Sequence, residues 1–490
     1  MPIRRLHPHL ALFACIACTF LAIYSACPAA AANDQTVQLT SSRRPGDADR
    51  VTVELKMVGE GIEPGEKGTR RIDTRVAVEL QYDEWTVAVP GVKSDALRSL
   101  RHYHRAAGVL KVAKDGLSPE LRPDRRTIIA ELNPGQGTAG DTDQDSDVTL
   151  YSPEGPLTRE ELELLEVFGN SLLLDGLLPR GAVKQGTSWA IPERLLARLL
   201  DLDSVGHSDV KAELTEVTPQ LARFKLVGTV DGSIHGAATE VALKAKYRLD
   251  RRRGRVDWFA MVAKEQRKIS PVGMMGLDVT AQVIVRVEPA GDTPELTDEQ
   301  LGEMNIAADA GLTQLEYTPE DGQWRLDHGR DWYVTRDEHD LVVLRLVKDG
   351  AFLSQCNLAV LSRVDPAELA TLEEFKADVE KRLADQSAKI ESAGQWENDA
   401  EYRVFRVVAH GKASATEGQD ETGLPVQWRY YLVADRHGRR AVLAFTLEPK
   451  HAEAFAQSDQ ALVGGLRLDE PVSESRNKPG GEPNRESKDE

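Results

Sequence analysis

Lys246-Tyr247-Arg248-Leu249, Arg251-Arg252-Arg253-Gly254-Arg255 and Val256-Asp257-Trp258-Phe259 form the stretch on which the fold turns. Two segments of alternating side chains, rich in aromatic and β-branched residues, flank a polar run that contains a glycine able to take positive φ. This is the signature of two antiparallel strands joined by a tight turn. The charged run reads as a solvated hairpin tip. The same turn chemistry recurs at Tyr430-Tyr431-Leu432-Val433, Asp435 to Arg440, and Ala441-Val442-Leu443.

Working outward, strands follow one another from Asp209. Val210 to Val217, Ala222 to Val230, Glu240 to Leu249, Val256 to Lys264 and Leu277 to Val287 are each bounded by Gly, Pro, Asp or Asn. Upstream, Val51, Val53, Leu55 and Met57 alternate with Thr52, Glu54 and Lys56, the period of a half-buried strand. Gly59 to Gly68 reads as a glycine-rich loop leading to a second strand through Val76, Val78 and Leu80. It lacks the G-x-G-x-x-G spacing and the following helix of a phosphate cradle.

Helices interrupt the strands. Thr158-Arg159-Glu160-Glu161 is a capping box, and Leu162, Leu165, Phe168 and Leu172 follow at helical spacing. Pro192 opens a second helix with Leu195, Leu196, Leu199 and Leu200. A third, capped by Thr371 and Glu374, carries Leu372, Phe375, Val379 and Leu383. Single helices between blocks of antiparallel strands predict an α+β fold.

The expected division is a leader at 1–32, a strand-rich domain at 33–290, a linker at 291–315, a second α+β domain at 316–470 and a disordered tail at 471–490. The leader rests on Arg4-Arg5, the apolar run Leu10 to Ile23 and the Ala29 to Ala32 cleavage site, which together predict an exported chain beginning at Asn33. The apolar run is too short to span a bilayer comfortably. A lipid-modified Cys27 is the alternative start, against which stand Tyr24 three residues before it and Pro28 after it. Cys15, Cys18 and Cys27 would leave with the leader. Cys356 then stays as a lone thiol, expected to be buried beside Phe352, Leu358 and Val360, and the mature chain is held by apolar cores rather than disulfides.

The net charge of −18 opposes phosphate polymers and anionic surfaces overall, so nucleic acid is not an expected partner. Catalytic signatures are missing: there is no H-E-x-x-H, no G-x-S-x-G and no Walker loop. Ser208-Asp209-Val210-Lys211 fits S-x-x-K but lacks its companion motifs. His102 and His104 share a strand face, yet Arg101 and Arg105 flank them and oppose a divalent ion. Asp141, Asp143, Asp145 and Asp147 alternate as in half of a calcium loop, but Ser146 stands where a turning glycine is needed and Ser152 where a closing Glu is needed.

The segment from about Glu316 is similar to the family of the PsbP and Mog1 proteins. The likeness is carried by Asp331-Trp332-Tyr333-Val334, the capped helix after Pro366, and Gln427-Trp428-Arg429-Tyr430-Tyr431 leading to Ala441 to Thr446. It implies an antiparallel sheet covered by helices and a non-enzymatic module that binds or assembles partners. The N-terminal segment resembles uncharacterised secreted bacterial proteins through Pro179, Val183, Gly186 and Trp189, and its layout is similar to the half-barrel of lipoprotein carriers. These readings assign no catalytic, cofactor or metal residue. They predict a secreted binding or scaffolding protein whose partner is a protein or an apolar small molecule; Met274-Met275 reads first as a plug at the end of the core and otherwise as a flap over a sheet cavity. The alternatives are a secreted hydrolase and a weak calcium-binding module.

Overall fold

The computed structural model describes residues 36–65, 68–87, 97–113, 115–132, 148–270, 275–291, 311–320, 322–338, 341–348, 351–398, 401–413 and 424–468. The leader, the Asp141 to Asp147 loop, Met274, residues 292–310 and the tail from 469 lie outside them.

Thirteen strands build the first sheet. They are β1 (Ala48–Gly65), β2 (Gly68–Val87), β3 (Leu97–Val112), β4 (Asp115–Leu117), β5 (Thr127–Leu132), β6 (Val148–Tyr151), β7 (Ser188–Ala190), β8 (Ser204–Ser208), β9 (Lys211–Val217), β10 (Leu221–Ile234), β11 (Ala237–Asp250), β12 (Arg255–Arg267) and β13 (Gly276–Pro289). Their order is β6-β5-β3-β2-β1-β13-β12-β11-β10-β9-β7, with β4 beside β3 and β8 beside β10. Every paired strand in it is antiparallel.

Three short helices cover one face: α1 (Arg159–Leu165), α2 (Ser171–Leu174) and α3 (Glu193–Leu199). Their leucines, among them Leu162, Leu165, Leu172, Leu196 and Leu199, share one core with Val51, Val53, Leu80, Phe224 and Phe259. Phe224 and Tyr247 stack at 4.5 Å, and the Trp189 ring meets Phe224 edge-on at 5.9 Å. Both Trp189 Nε1 and Tyr247 Oη donate to the Leu177 carbonyl, at 3.2 and 3.0 Å.

A small sheet follows, made of β14 (Leu315–Tyr317), β15 (Arg325–His328) and, at the end of the chain, β23 (Leu466–Arg467). Seven strands form the last sheet: β16 (Trp332–Glu338), β17 (Leu341–Lys348), β18 (Ala351–Leu361), β19 (Lys389–Glu397), β20 (Arg403–Ala413), β21 (Leu424–Ala434) and β22 (Arg440–Leu447). Their order is β16-β17-β18-β22-β21-β20-β19. Helix α4 (Leu372–Arg382) packs Phe375, Val379 and Leu383 on one face, against Phe405, Trp428 and Tyr430. Helices α5 (Ala452–Phe455) and α6 (Ser458–Gly465) cover the other with Phe455, Leu462 and Val463, against Trp332, Tyr431 and Phe445. Burial on both faces explains why Val426 to Val433 is buried throughout rather than at every second residue.

The α+β expectation is corrected. Strands make up 59% of the structure and helices 15%, so the protein is largely β. The capping boxes at Thr158 and Thr371 do form, but a cap starts a helix without setting its length. Helix α1 stops after 7 residues. Gly169 then takes φ +83° and Asn170 caps α2 afresh, so the Leu162 to Leu172 stripe is two helices. In contrast, β1 and β2 run for 18 and 20 residues. The Gly59 to Gly68 stretch, expected as a loop, is paired strand from Gly59 opposite Thr74 to Gly65 opposite Gly68. Register with neighbours on both sides supplies the hydrogen bonds that side-chain pattern did not advertise.

The hairpin tips are solvated only in part: Arg252, Arg436 and His437 are exposed, and the rest of each tip is packed. Gly254 has φ +60°, and its carbonyl accepts from Ser42 N at 2.9 Å. Arg255, 3% exposed, donates to Asp49 at 3.1 Å and to Asp47 at 2.9 Å. At the second tip, Asp435 accepts from the backbone of His437 and Arg439, each at 2.9 Å, and the Gly438 carbonyl from Val364 N at 3.1 Å.

Candidate functional site

A cleft of about 810 Å³ opens where the helical cap of the first sheet meets the start of the seven-stranded unit. One wall is Glu163 and Glu166 of α1 with Asp201 at the end of α3; the other runs from Gly329 to Tyr333, and His235 closes one end from the β10–β11 turn.

Covalent order and hydrogen bonds hold the walls in place. Leu157 bridges Leu315 in parallel, and Leu315 is fully buried in the first core. Arg122 spans the junction, bonded to Glu161 at 2.7 Å and to Glu316 at 3.0 Å. Arg159 donates to the carbonyls of Arg330 and, at 3.2 Å, Trp332. Its guanidinium lies 4.4 Å from the centre of the Tyr333 ring, where the negative face of the ring favours a cation. The opening of β16 therefore divides its labour: Trp332 goes into the core, and Tyr333 faces the cleft.

Six carboxylates (Glu131, Glu163, Glu166, Asp201, Asp203 and Asp331) and three guanidinium groups (Arg159, Arg198 and Arg330) line this cleft. Glu131 is engaged by Arg98 at 2.7 Å, and Asp203 accepts from Gly236 N at 3.2 Å. Removal from water, together with the Asp201 carboxylate, pushes Glu166 up to about 8, even with Arg330 at 3.6 Å. Burial, with Arg267 and Arg159 adding repulsion, lowers His235 to about 4, so its ring is neutral at physiological pH. Tyr333 is raised to about 12 by burial. The cleft thus sets carboxyl oxygens beside guanidinium groups, with Glu166 and His235 held away from their ordinary values. Among the described residues no nucleophile with an adjacent base lines it.

The residues weighed from sequence lie elsewhere. His102 and His104 do share a face of β3, their rings 5.4 Å apart, and His104 Nε2 is 2.9 Å from Asp83. Arg101 turns to the opposite face, into the interior, so it does not flank them in space. Ser208 ends β8, where its hydroxyl accepts from Val210 N at 3.2 Å, and Lys211 begins β9 on the open sheet face. Cys356 is fully buried, and burial together with Asp459 pushes its thiol well above the ordinary range. Phe352 does not accompany it: a bulge between Leu346 and Val347 turns Phe352 outward, 40% exposed. Met275 fills space above Gly61, where a Cβ would stand 2.4 Å from its sulfur. The helix leucines are seated on the same sheet face.

Two buried polar clusters escaped sequence reasoning. Glu84 accepts from Arg43 at 3.1 Å and from Arg101, Ser99 and Ser171 at 2.9 Å each. Asp459 accepts from Arg429 at 3.0 Å, Tyr431 at 2.5 Å and Arg406 at 3.3 Å. Neither opens to a cavity described here; both pin helices to sheets. No signal short of the register between distant strands would have assembled them, and the same is true of the cleft.

No family model and no curated protein matches the chain. Among solved structures, the MucA/MucB complex of Pseudomonas aeruginosa is similar over 86% of this chain and 94% of that chain, at 12% identity and a TM-score of 0.15. DynF of the dynemicin biosynthesis pathway of Micromonospora chersina covers 56% of this chain and 93% of its own, at 8% identity and a TM-score of 0.14. The porin OccK8 of Pseudomonas aeruginosa covers 82% and 97%, at 8% and 0.12. Overlaps this loose fix neither fold nor partner, and the resemblance to PsbP and Mog1 gains no support from them. No helix among the described residues is long and apolar enough to cross a membrane.

Proposed function

We propose that the protein is an exported, non-catalytic binding protein whose junction cleft holds a lysine- or arginine-bearing segment of a partner protein. The observation that carries this reading is the carboxylate excess in a cleft of about 810 Å³ that also presents aliphatic side chains, among them Leu150, Val167, Leu173, Leu202 and Ile234. A cationic side chain entering beside Glu166 replaces the proton that burial retains there, so binding releases a proton and tightens as pH rises through about 8. Tyr333 and the aliphatic lining receive the apolar part of the same segment.

The test uses a short synthetic peptide of alternating lysine and leucine, followed by calorimetry. The expected result is saturable binding that strengthens between pH 6 and 9 and weakens about tenfold in the Glu163→Gln, Glu166→Gln double variant, from two half-exposed ion pairs at somewhat under 1 kcal/mol each. Equal binding of an alternating glutamate and leucine peptide, or indifference to the double variant, overturns the reading.

A further inference from the structure

The net charge is strongly negative, yet the charge is not evenly spread. The face of the first sheet opposite the helices carries two adjacent cross-strand rows that the pairing register sets out residue by residue. One runs Lys211, Val227, Lys244, Val262, Gln282, Lys56, Ala77, Val109 across β9, β10, β11, β12, β13, β1, β2 and β3. The row beside it runs Thr229, Ala242, Lys264, Thr280, Val58, Arg75, Lys111. Neither contains a carboxylate. The flanking rows do: one mixes Glu213, Glu54 and Glu79, each ion-paired, with Lys225 and Lys246, and the other carries Asp231, Glu240, Asp278, Glu60 and Asp73. At the margin, Asp209 reaches Thr229, but its carboxylate is engaged by the Thr229 amide at 2.6 Å and hydroxyl at 3.0 Å.

Lys56, Arg75, Lys111, Lys211, Lys244 and Lys264 are all exposed, and none forms an ion pair with a described residue. Interleaved with them are Val58 (55% exposed), Val109 (42%), Val227 (46%) and Val262 (44%), half of the large apolar side chains that stand exposed among the described residues. Eight strands at roughly 4.8 Å spacing make the band about 34 Å long. Scattered exposed valines need no explanation, but four valines collected with six unpaired cations on one sheet face do.

We infer that this band is a docking surface for an anionic lipid bilayer, with the ammonium groups at the headgroup phosphates and the valines at the acyl boundary. A soluble polyanion would account for the cations alone. It gives no reason for the aliphatic residues between them, whereas an interface that is charged above and apolar below uses both. The acidic row through Asp231, Glu240, Asp278, Glu60 and Asp73 sets one edge of the contact and opposes any tilt that brings it to the surface.

The experiment is co-sedimentation of the intact mature chain with vesicles of phosphatidylcholine, alone or mixed with phosphatidylglycerol, at low and high salt. Binding to the mixed vesicles only, lost at high salt, is expected. Each lysine near an anionic surface is worth about fivefold in partitioning, so the Lys56→Gln, Lys244→Gln, Lys264→Gln variant should bind about a hundredfold more weakly. The Val227→Ser, Val262→Ser variant should lose roughly tenfold, from partial burial of two side chains. All five positions are exposed, so thermal midpoints should match wild type and show that folding is intact. Absence of binding to the mixed vesicles overturns the inference, as does unchanged binding in either variant. Dextran sulfate binding that depends on the lysines while the valine variant still sediments normally overturns it too, and assigns the band to a soluble polyanion.

Discussion

Replacing Glu84 by Gln removes one negative charge and almost no volume from the interior. Glu84 is fully buried in β2, directly opposite Arg101 of β3, and its two oxygens serve Arg43, Arg101, Ser99 and Ser171. Burial by itself would raise the carboxyl, but the two guanidinium groups and the hydroxyls reverse this and hold it at about 2, against an ordinary value of 4.5. That difference corresponds to about 3 kcal/mol of folded-state stabilisation. An independent route gives a similar figure, because breaking a buried pair by removing one partner costs about 3–5 kcal/mol, and the side chains of Arg101 and Arg43 are only 2% and 5% exposed. Since the folded-state value is depressed, the contribution is complete above 4.5 and drains away as the pH falls toward 2. The assay is urea denaturation across that range for wild type, Glu84→Gln, Arg101→Met and the double variant. Glu84→Gln should lose about 3 kcal/mol at neutral pH and have a flatter acid limb. The double variant should be less destabilised than the sum of the singles, because each already forfeits the shared pair. A loss below about 1 kcal/mol for Glu84→Gln, or strict additivity, would refute the reasoning.

Two further outcomes are expected. Gly438 has φ +82°, and a Cβ there would stand 1.9 Å from the Val364 carbonyl oxygen; Gly438→Ala should therefore cost more than about 2 kcal/mol, combining left-handed strain with displacement of a backbone segment, and an unchanged thermal midpoint would contradict this. If the leader at 1–32 directs export, N-terminal sequencing of protein recovered outside the cytoplasm should begin at Asn33, and a lipid-modified Cys27 or an intact leader would contradict this.

The hairpin about Arg251 to Gly254 was legible because a two-residue period and a positive-φ glycine are local facts, and the strands from Val210 to Val287 were legible for the same reason. Both capping boxes were too. Helix lengths were not: α1 ends where Gly169 packs against Val285 and Phe259, a contact between residues about a hundred positions apart. Edge strand β19 was harder to see because its residues are mostly exposed and a bulge between Ile390 and Ser392 interrupts the alternation. Counting caps as helices gave them more weight than their four to eleven residues occupy, which is how a largely β protein reads as α+β.

The cleft shows the deeper limit. Glu163, Glu166, Asp201, His235 and Tyr333 are each unremarkable in sequence, and only the seating of α1, α3 and β16 against one another places them around one space. The band of lysines and valines is similar: in the chain its members are alternate residues of strands whose polar face looks ordinary, and register alone aligns them. Sequence by itself determined the local conformations, because turn chemistry, capping and side-chain period act within a few residues. Tertiary structure alone decided where charge concentrates and where a cleft opens, because electrostatic and packing energies depend on distance in space, and strand pairing sets those distances between residues that the chain keeps far apart.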